Sequence, residues 1–217
     1  MKNDNNYDPL DYGFVVDTEI EEVKDEKPKQ EVFSKRKELF EWFDVVSLAL
    51  IFVIILFGFV FRVATISGDS MLHTLYDKEM VVITNFSYTP KQGDIVVISR
   101  NIENSAENST ESKGPIIKRV IATEGQEVDI RDGKVFVNGK QLQEDYVWTD
   151  RTEPRDVAFP VTVPEGHIFV LGDNRAVSLD SRSTSIGQNG MIDDRYVLGR
   201  AVYRIFPFKK MGSLTNK

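Results

Sequence analysis

The chain has 217 residues, of which 41% are hydrophobic and 28% are charged, and this balance is typical of a folded protein rather than a disordered one. Its net charge of −7 argues against binding to nucleic acid. There is no cysteine, which excludes disulfides, a thiol nucleophile and thiolate metal sites. Two histidines are too few for a histidine-rich metal site, so we expect no metal and no cofactor.

The first 40 residues form an acidic segment, with eleven Asp and Glu residues against seven Lys and Arg residues. This segment shows no sustained helical or strand period. A polar, charged sequence of this kind cannot bury enough apolar surface to fold. We therefore predict a disordered tail at residues 1–40.

An apolar run occupies residues 42–61, and Asp44 is its only charged residue. About 20 apolar residues are needed to cross the hydrocarbon core of a bilayer as a helix. From Val45 onwards only one serine and one glycine interrupt the run, so we predict a transmembrane helix over residues 41–61 rather than a buried core helix. A cleaved signal peptide would need a short basic start and a small-residue cleavage site. Both are missing, and we expect the helix to remain as an anchor.

Basic residues flank this run unevenly. Six Lys and Arg residues lie at positions 24–37, whereas only Arg62 and Lys78 follow within a similar distance. Because Lys and Arg are enriched on the cytoplasmic side of membrane proteins, the tail is predicted to be cytoplasmic. Residues 62–217 are then extracytoplasmic, and the chain crosses the cell membrane once.

Beyond the run, short stretches rich in valine and isoleucine alternate with turn sequences, a pattern that predicts strands. The pairs Asp132-Gly133 and Asn138-Gly139 are typical of tight hairpin turns. We predict a mainly β domain over residues 62–217, with residues 123–163 as a small inserted β sub-domain. The predicted strands are residues 80–85, 94–99, 115–122, 128–130, 134–137, 167–171 and 196–206.

Two residues in this domain could form a nucleophile and its base. Ser70 lies nine residues after the apolar run, so an extended chain keeps it within roughly 30 Å of the membrane. Lys118 shares one face of a predicted strand with Ile116 and Val120, and burial among apolar side chains lowers the pKa of a lysine from about 10.4. A neutral lysine can activate a serine. Taken alone, an ordinary turn serine and a lysine whose amine reaches water are the simpler interpretation. His73 is an alternative base without an evident carboxylate partner.

Four sequence blocks, in order, resemble the type I signal peptidases, membrane-bound serine proteases that remove signal peptides from exported proteins. With the preceding anchor, the chain is similar to the Gram-positive form, which has a single N-terminal membrane span. The resemblance extends over nearly everything from residue 42 to residue 207. The blocks are residues 67–75 (SGDSMLHTL), 91–97 (KQGDIVV), 118–122 (KRVIA) and 172–182 (GDNRAVSLDSR).

The resemblance implies a signal-peptidase-like catalytic β domain with Ser70 as nucleophile, Lys118 as general base and an acyl-enzyme intermediate. It implies that the Ser70 backbone N–H stabilises the oxyanion and that Ser178 hydrogen-bonds the Lys118 amine. It further implies that Asp180 and Arg182 pair and hold their loop. The implied substrates are signal peptides of preproteins with small residues at the first and third positions before the cut, and the bilayer is the second partner.

Two departures from the family pattern keep an alternative open. His73 stands where the family usually has proline, which fixes the backbone. Gly68 stands where some members carry a serine hydroxyl that assists the oxyanion. The alternative is a catalytically weak or inert relative that serves the secretion or assembly machinery of surface or pilus proteins. A self-cleaving repressor-type Ser/Lys protease is disfavoured, because the acidic tail and anchor supply no DNA-binding domain.

Overall fold

The computed structural model describes residues 30–99 and 114–214. Most of the predicted disordered tail, residues 1–29, lies outside the described residues. The chain divides into two compact units, residues 1–48 and residues 49–217.

The N-terminal helix, α1, spans Gln30–Ile55 and continues as a π-helical turn over Leu56–Val60. It begins well before residue 41, inside the segment predicted to be disordered. This segment contains good helix formers, and Lys37 and Glu41 lie 3.9 Å apart as an exposed i, i+4 ion pair. Within the described part of the chain, Arg36–Gly58 is long and apolar enough to cross a membrane, with a mean hydropathy of 2.4.

The predicted helix end at residue 61 differs from the structure, because Phe61 is already extended and begins the first strand. Twelve strands follow within residues 61–99 and 114–214, in agreement with the predicted mainly β class. They are β1 Phe61–Thr65, β2 Met80–Thr84, β3 Ile95–Ile98, β4 Ile116–Thr123, β5 Glu127–Arg131, β6 Lys134–Val137, β7 Lys140–Gln141, β8 Val161–Thr162, β9 His167–Leu171, β10 Ile192–Asp193, β11 Val197–Phe206 and β12 Gly212–Ser213. Single 3₁₀ turns occur at Asp194–Tyr196 and Phe208–Lys210.

Eight strands form one antiparallel sheet in the order β1-β2-β11-β3-β4-β9-β10, with β12 paired to β11. Strand β4 is therefore a central strand, hydrogen-bonded to β3 on one side and to β9 on the other. Lys118 on this strand is 4% exposed, with side chains of the paired strands as its neighbours on the same face. In the β3–β4 register, Lys118 lies opposite Val96, which is fully buried.

The second sheet has the order β7-β6-β5-β8 and lies within the range predicted for the inserted sub-domain. Its two hairpins turn at Asp132-Gly133 and Asn138-Gly139, and all four residues have positive φ angles, between 51° and 75°. This is the conformation that two-residue type I′ turns require, which explains the sequence pairs found there.

Candidate active site

Ser70 lies in the turn-rich segment that joins the end of β1 at Thr65 to the start of β2 at Met80. The side chains that follow it, Met71 and Leu75, are 1% and 0% exposed and pack in a buried cluster with β2 and β3. The Leu75 N–H donates to the Met71 carbonyl at 2.8 Å, so one helical turn follows the serine. Burial of these two side chains fixes the turn and leaves Ser70 only half-buried.

Lys118 contacts Ser70 across 48 residues of sequence. Its Nζ lies 3.0 Å from the Ser70 Oγ, and the lysine is 4% exposed. An ammonium group is strongly hydrated in water, so its burial disfavours the charged form. The structure thus brings together the two residues predicted to form the nucleophile and its base.

The loop after β9, residues 172–182, is tied to the nucleophile turn by backbone contacts. The Asn174 N–H donates to the Ser70 carbonyl at 3.0 Å, and the Asn174 side chain donates to the Asp69 carbonyl at 3.1 Å. Sequence reasoning did not single out Asn174, although it lies in the fourth block. Its contacts fix the peptide units on both sides of the nucleophile.

Asp180 and Arg182 form a buried, bidentate ion pair within this loop. Arg182 donates from Nε and Nη2 to the two carboxylate oxygens of Asp180 at 2.8 and 2.9 Å. The side chain of Arg182 is 2% exposed and that of Asp180 is 0% exposed. Asp180 also accepts from the Gly172 N–H at 3.1 Å. Arg182 donates to the carbonyls of Arg175 and Ser178. The pair thus organises the loop internally, and its supporting role in activity stays a prediction.

Ser178 is fully buried, and in the described part of the chain its Oγ has no hydrogen-bond partner. The hydrogen bond to Lys118 that the resemblance implies is therefore not formed in this structure. The hydroxyl packs against Gly172, where an added Cβ would lie 2.2 Å from Ser178 Oγ and 2.6 Å from the Ser70 carbonyl oxygen. Leaving a buried hydroxyl without a hydrogen-bond partner costs free energy. Ser178 therefore has an unsatisfied hydroxyl close to the nucleophile.

A second buried ion pair, missed by sequence reasoning, lies beside the base. Arg119 donates to Asp173 from Nε at 2.9 Å and from Nη2 at 2.7 Å, and Thr74 donates to the same carboxylate. Burial lowers the pKa of Arg119, but the hydrogen bonds and charge of Asp173 outweigh it, and the pKa lies above its usual value. The pair links β4, the nucleophile turn and the loop after β9. Its members lie inside the third and fourth sequence blocks, next to Lys118 and Asn174, and membership of these blocks is the only sequence signal for them.

The sub-domain is joined to the same loop through Glu144. Its carboxylate accepts from the guanidinium of Arg175, whose side chain is 1% exposed, and from the Tyr146 hydroxyl at 3.0 Å. The Arg119 guanidinium lies 3.8 Å from the centre of the Tyr146 ring. Burial and the charge of Glu144 raise the pKa of Tyr146, so the phenol stays protonated and can donate.

The two departures from the family pattern lie on the surface of the nucleophile turn. Gly68 has a φ of +85°, and its N–H donates to Asp77 at 3.0 Å. His73 is exposed, follows a cis peptide bond, and contacts the Trp148 ring. Neither residue disrupts the contact between Ser70 and Lys118. Among the described residues, no group of three or more His, Asp or Glu could hold a metal ion.

The family model for signal peptidase, peptidase S26, matches residues 39–206. The chain belongs to this family. A signal peptidase I from Bacillus licheniformis is 33% identical over 188 residues, which cover 82% of this chain and 94% of that protein. Signal peptidase I T from Bacillus subtilis is 30% identical and covers 88% and 97% of the two chains. A probable signal peptidase I-1 from Synechocystis sp. is 36% identical and covers 77% and 82%.

Among solved structures, a signal peptidase I from Enterococcus faecalis V583 matches with a TM-score of 0.38 and 30% identity, over 52% of this chain and 97% of that one. The family match and the relatives confirm the predicted resemblance and the predicted enzyme class, a serine peptidase of the signal peptidase type. Membership supports signal-peptide cleavage as the activity. Together with the apolar helix, it indicates a membrane-anchored protein.

Proposed function

We propose that the chain cleaves signal peptides from preproteins by a Ser70–Lys118 dyad at the outer face of the membrane. The observation that carries this proposal is the 3.0 Å contact between Lys118 Nζ and Ser70 Oγ, with the lysine 4% exposed. A serine hydroxyl needs an adjacent base to act as a nucleophile. A buried amine favours its neutral form, which has the lone pair required.

In the first step, Ser70 Oγ attacks the carbonyl carbon of the scissile peptide while Lys118 Nζ takes the hydroxyl proton. The Ser70 backbone N–H donates to the oxyanion of the tetrahedral intermediate. The C–N bond then breaks, and the Lys118 ammonium returns its proton to the leaving amine. This leaves the signal peptide as an ester on Ser70 and the mature chain with a free N-terminus.

In the second step, a water molecule attacks the ester carbonyl, and Lys118 takes a proton from that water. Collapse of this intermediate restores the Ser70 hydroxyl, which receives the proton from Lys118, and releases the signal peptide as a carboxylic acid that loses its proton to water. Asp180 and Arg182 support the site by holding the loop that contacts the Ser70 backbone. In this mechanism the Ser178 hydroxyl, which is buried and has no hydrogen-bond partner in the described part of the chain, supplies a hydrogen bond to the Lys118 amine.

The proposed topology places residues 1–40 in the cytoplasm and the catalytic domain, residues 62–217, outside. Lys and Arg are concentrated before the apolar run at residues 42–61, which is the distribution of cytoplasmic flanks. Signal peptides also span the membrane, so their cleavage sites emerge at the same face. A nucleophile placed nine residues after the end of the predicted span meets them there.

The test is cleavage of a preprotein by the detergent-solubilised full chain, read as the appearance of the mature product. Wild type is expected to cleave, and Ser70→Ala and Lys118→Ala are expected to lose activity by at least about a hundred-fold. Full cleavage by either variant would exclude the dyad. An inactive wild type that still supports surface-protein assembly in cells would favour the alternative of an inert assembly factor.

A further inference from the structure

Two exposed rings lie in contact, tilted to each other, beside the nucleophile turn. The ring centres of His73 and Trp148 lie 3.5 Å apart, with an angle of 41° between the ring planes. Trp148 is 57% exposed, and His73 is also exposed. The Tyr76 hydroxyl lies 3.3 Å from His73 Nδ1 and fixes the imidazole from the other side. We call this pair the His73–Trp148 platform.

The platform does not contribute to the core, because neither ring belongs to the buried clusters of the domain. Its position is nevertheless fixed by buried groups. The Trp148 N–H donates to the Asp173 carbonyl at 3.3 Å, and Asp173 is fully buried in its ion pair with Arg119. Two residues before the tryptophan, Tyr146 lies against Arg119. A large exposed ring on a fixed backbone is the arrangement that recognition surfaces use.

The platform lies within reach of a substrate bound at Ser70. His73 follows Ser70 by three residues, so their Cα atoms are at most about 11 Å apart even in an extended chain. The intervening turn is helical, with the Leu72 N–H donating to the Asp69 carbonyl at 3.3 Å, which brings them closer. A substrate side chain two or three residues from the cut therefore reaches the rings.

We propose that the His73–Trp148 platform binds an aromatic or large aliphatic side chain within the first three residues of the mature protein. The proposal rests on the function proposed above and adds a specificity determinant to it. The family resemblance implies small residues at the first and third positions before the cut, and wide exposed rings do not suit them. Stacking on rings favours flat and apolar side chains, typically by about two- to ten-fold in affinity.

The experiment compares preproteins that are identical up to the cut and carry either glycine or phenylalanine at the first, second or third mature position. Wild type is expected to show a kcat/KM about two- to ten-fold higher for phenylalanine at one of these positions. Trp148→Ala is expected to reduce that ratio to about one, and His73→Ala to reduce it in part. The matched control is Phe86→Ala, an exposed phenylalanine (76%) beyond the opposite end of β2, which is expected to keep the ratio.

A second measurement tests the proposal with Trp148 in place, in case the Trp148→Ala variant fails to fold. The chain has two tryptophans, so a Ser70→Ala, Trp42→Phe variant reports on Trp148 alone. Its fluorescence is expected to change on binding of the uncleaved phenylalanine preprotein, and less with the glycine preprotein.

Equal rates for glycine and phenylalanine in wild type would overturn the proposal, as would a ratio unchanged by Trp148→Ala. A preference that Trp148→Ala alters only at positions before the cut would overturn the assignment to the mature side. A wild type that cleaves no preprotein would instead contradict the proposed function, which separates the two failures.

Discussion

Gly172 lies against the backbone of the nucleophile and leaves no room for a side chain. A Cβ at this position would lie 2.6 Å from the Ser70 carbonyl oxygen and 2.5 Å from the Ser178 Cβ. Both distances are shorter than van der Waals contact allows, and the backbone atom cannot rotate away. The glycine therefore sets the distance between the loop after β9 and the turn that presents Ser70.

Replacing Gly172 with alanine is expected to move Ser70 relative to Lys118. The single-turnover rate constant of cleavage is expected to fall by about a hundred-fold, because misplacement of a reacting group by about 1 Å has an effect of this size. The measurement is preprotein cleavage under single-turnover conditions. Gly212→Ala is the control, since an added Cβ there meets nothing within 4 Å. Equal activity of the two variants would show that the loop does not position the nucleophile.

At the residue scale, the sequence could predict the chemistry but not the distances. Alternation alone places Lys118 on an apolar strand face. Its contact with Ser70 joins residues 48 positions apart, and only the resemblance predicts it. The contact between His73 and Trp148 has no local pattern at all. The hydrogen bond predicted between Ser178 and Lys118 is not formed in the structure. The direction of a side chain depends on the packing around it, which a short sequence block does not encode.

At the scale of elements, the loop from Gly172 to Arg182 is held by the buried ion pair between Asp180 and Arg182. The Arg182 side chain is 2% exposed. Removing the carboxylate of Asp180 therefore leaves a buried guanidinium that has lost its counter-ion. Loss of one partner from a buried pair is far more costly than loss of an exposed one.

We expect Asp180→Ala to lower the free energy of unfolding by about 3–5 kcal/mol, and the Tm by at least about 6 °C. The control is Glu153→Ala, which breaks the exposed ion pair between Arg151 and Glu153. The side chains of these two residues are 66% and 63% exposed. The expected cost of this variant is below about 1 kcal/mol. Thermal unfolding in detergent measures both variants, and similar Tm values would contradict the structural role of the buried pair.

The elements themselves were largely predictable where the signal is local. The two Asx-Gly turns and the longer strands of the main sheet, β2, β3, β4, β9 and β11, follow from local composition and turn chemistry, which act within a few residues. Strands β8, β10 and β12 are two residues long and have no period to detect. Strand β1 was assigned in part to the helix, because Phe61 is apolar and its pairing with Thr84 is a tertiary contact.

At the scale of the whole molecule, the anchor and the charge distribution make a prediction about topology. Arg36–Gly58 is the candidate span, and basic residues are concentrated before it. In intact cells, an externally added protease is expected to degrade a C-terminal epitope tag and to leave an N-terminal tag intact. Degradation of the N-terminal tag alone would reverse the proposed orientation.

The account depends on activation of Ser70 by Lys118, and the most direct measurement is the mass of the protein after reaction with an activated alanyl ester. Wild type is expected to gain one acyl group, located on Ser70 by peptide mapping. Lys118→Met, which keeps the length of the side chain without an amine, is expected to react at least about a hundred-fold more slowly. Acylation of Lys118→Met at the wild-type rate, or of a residue other than Ser70, would contradict the account.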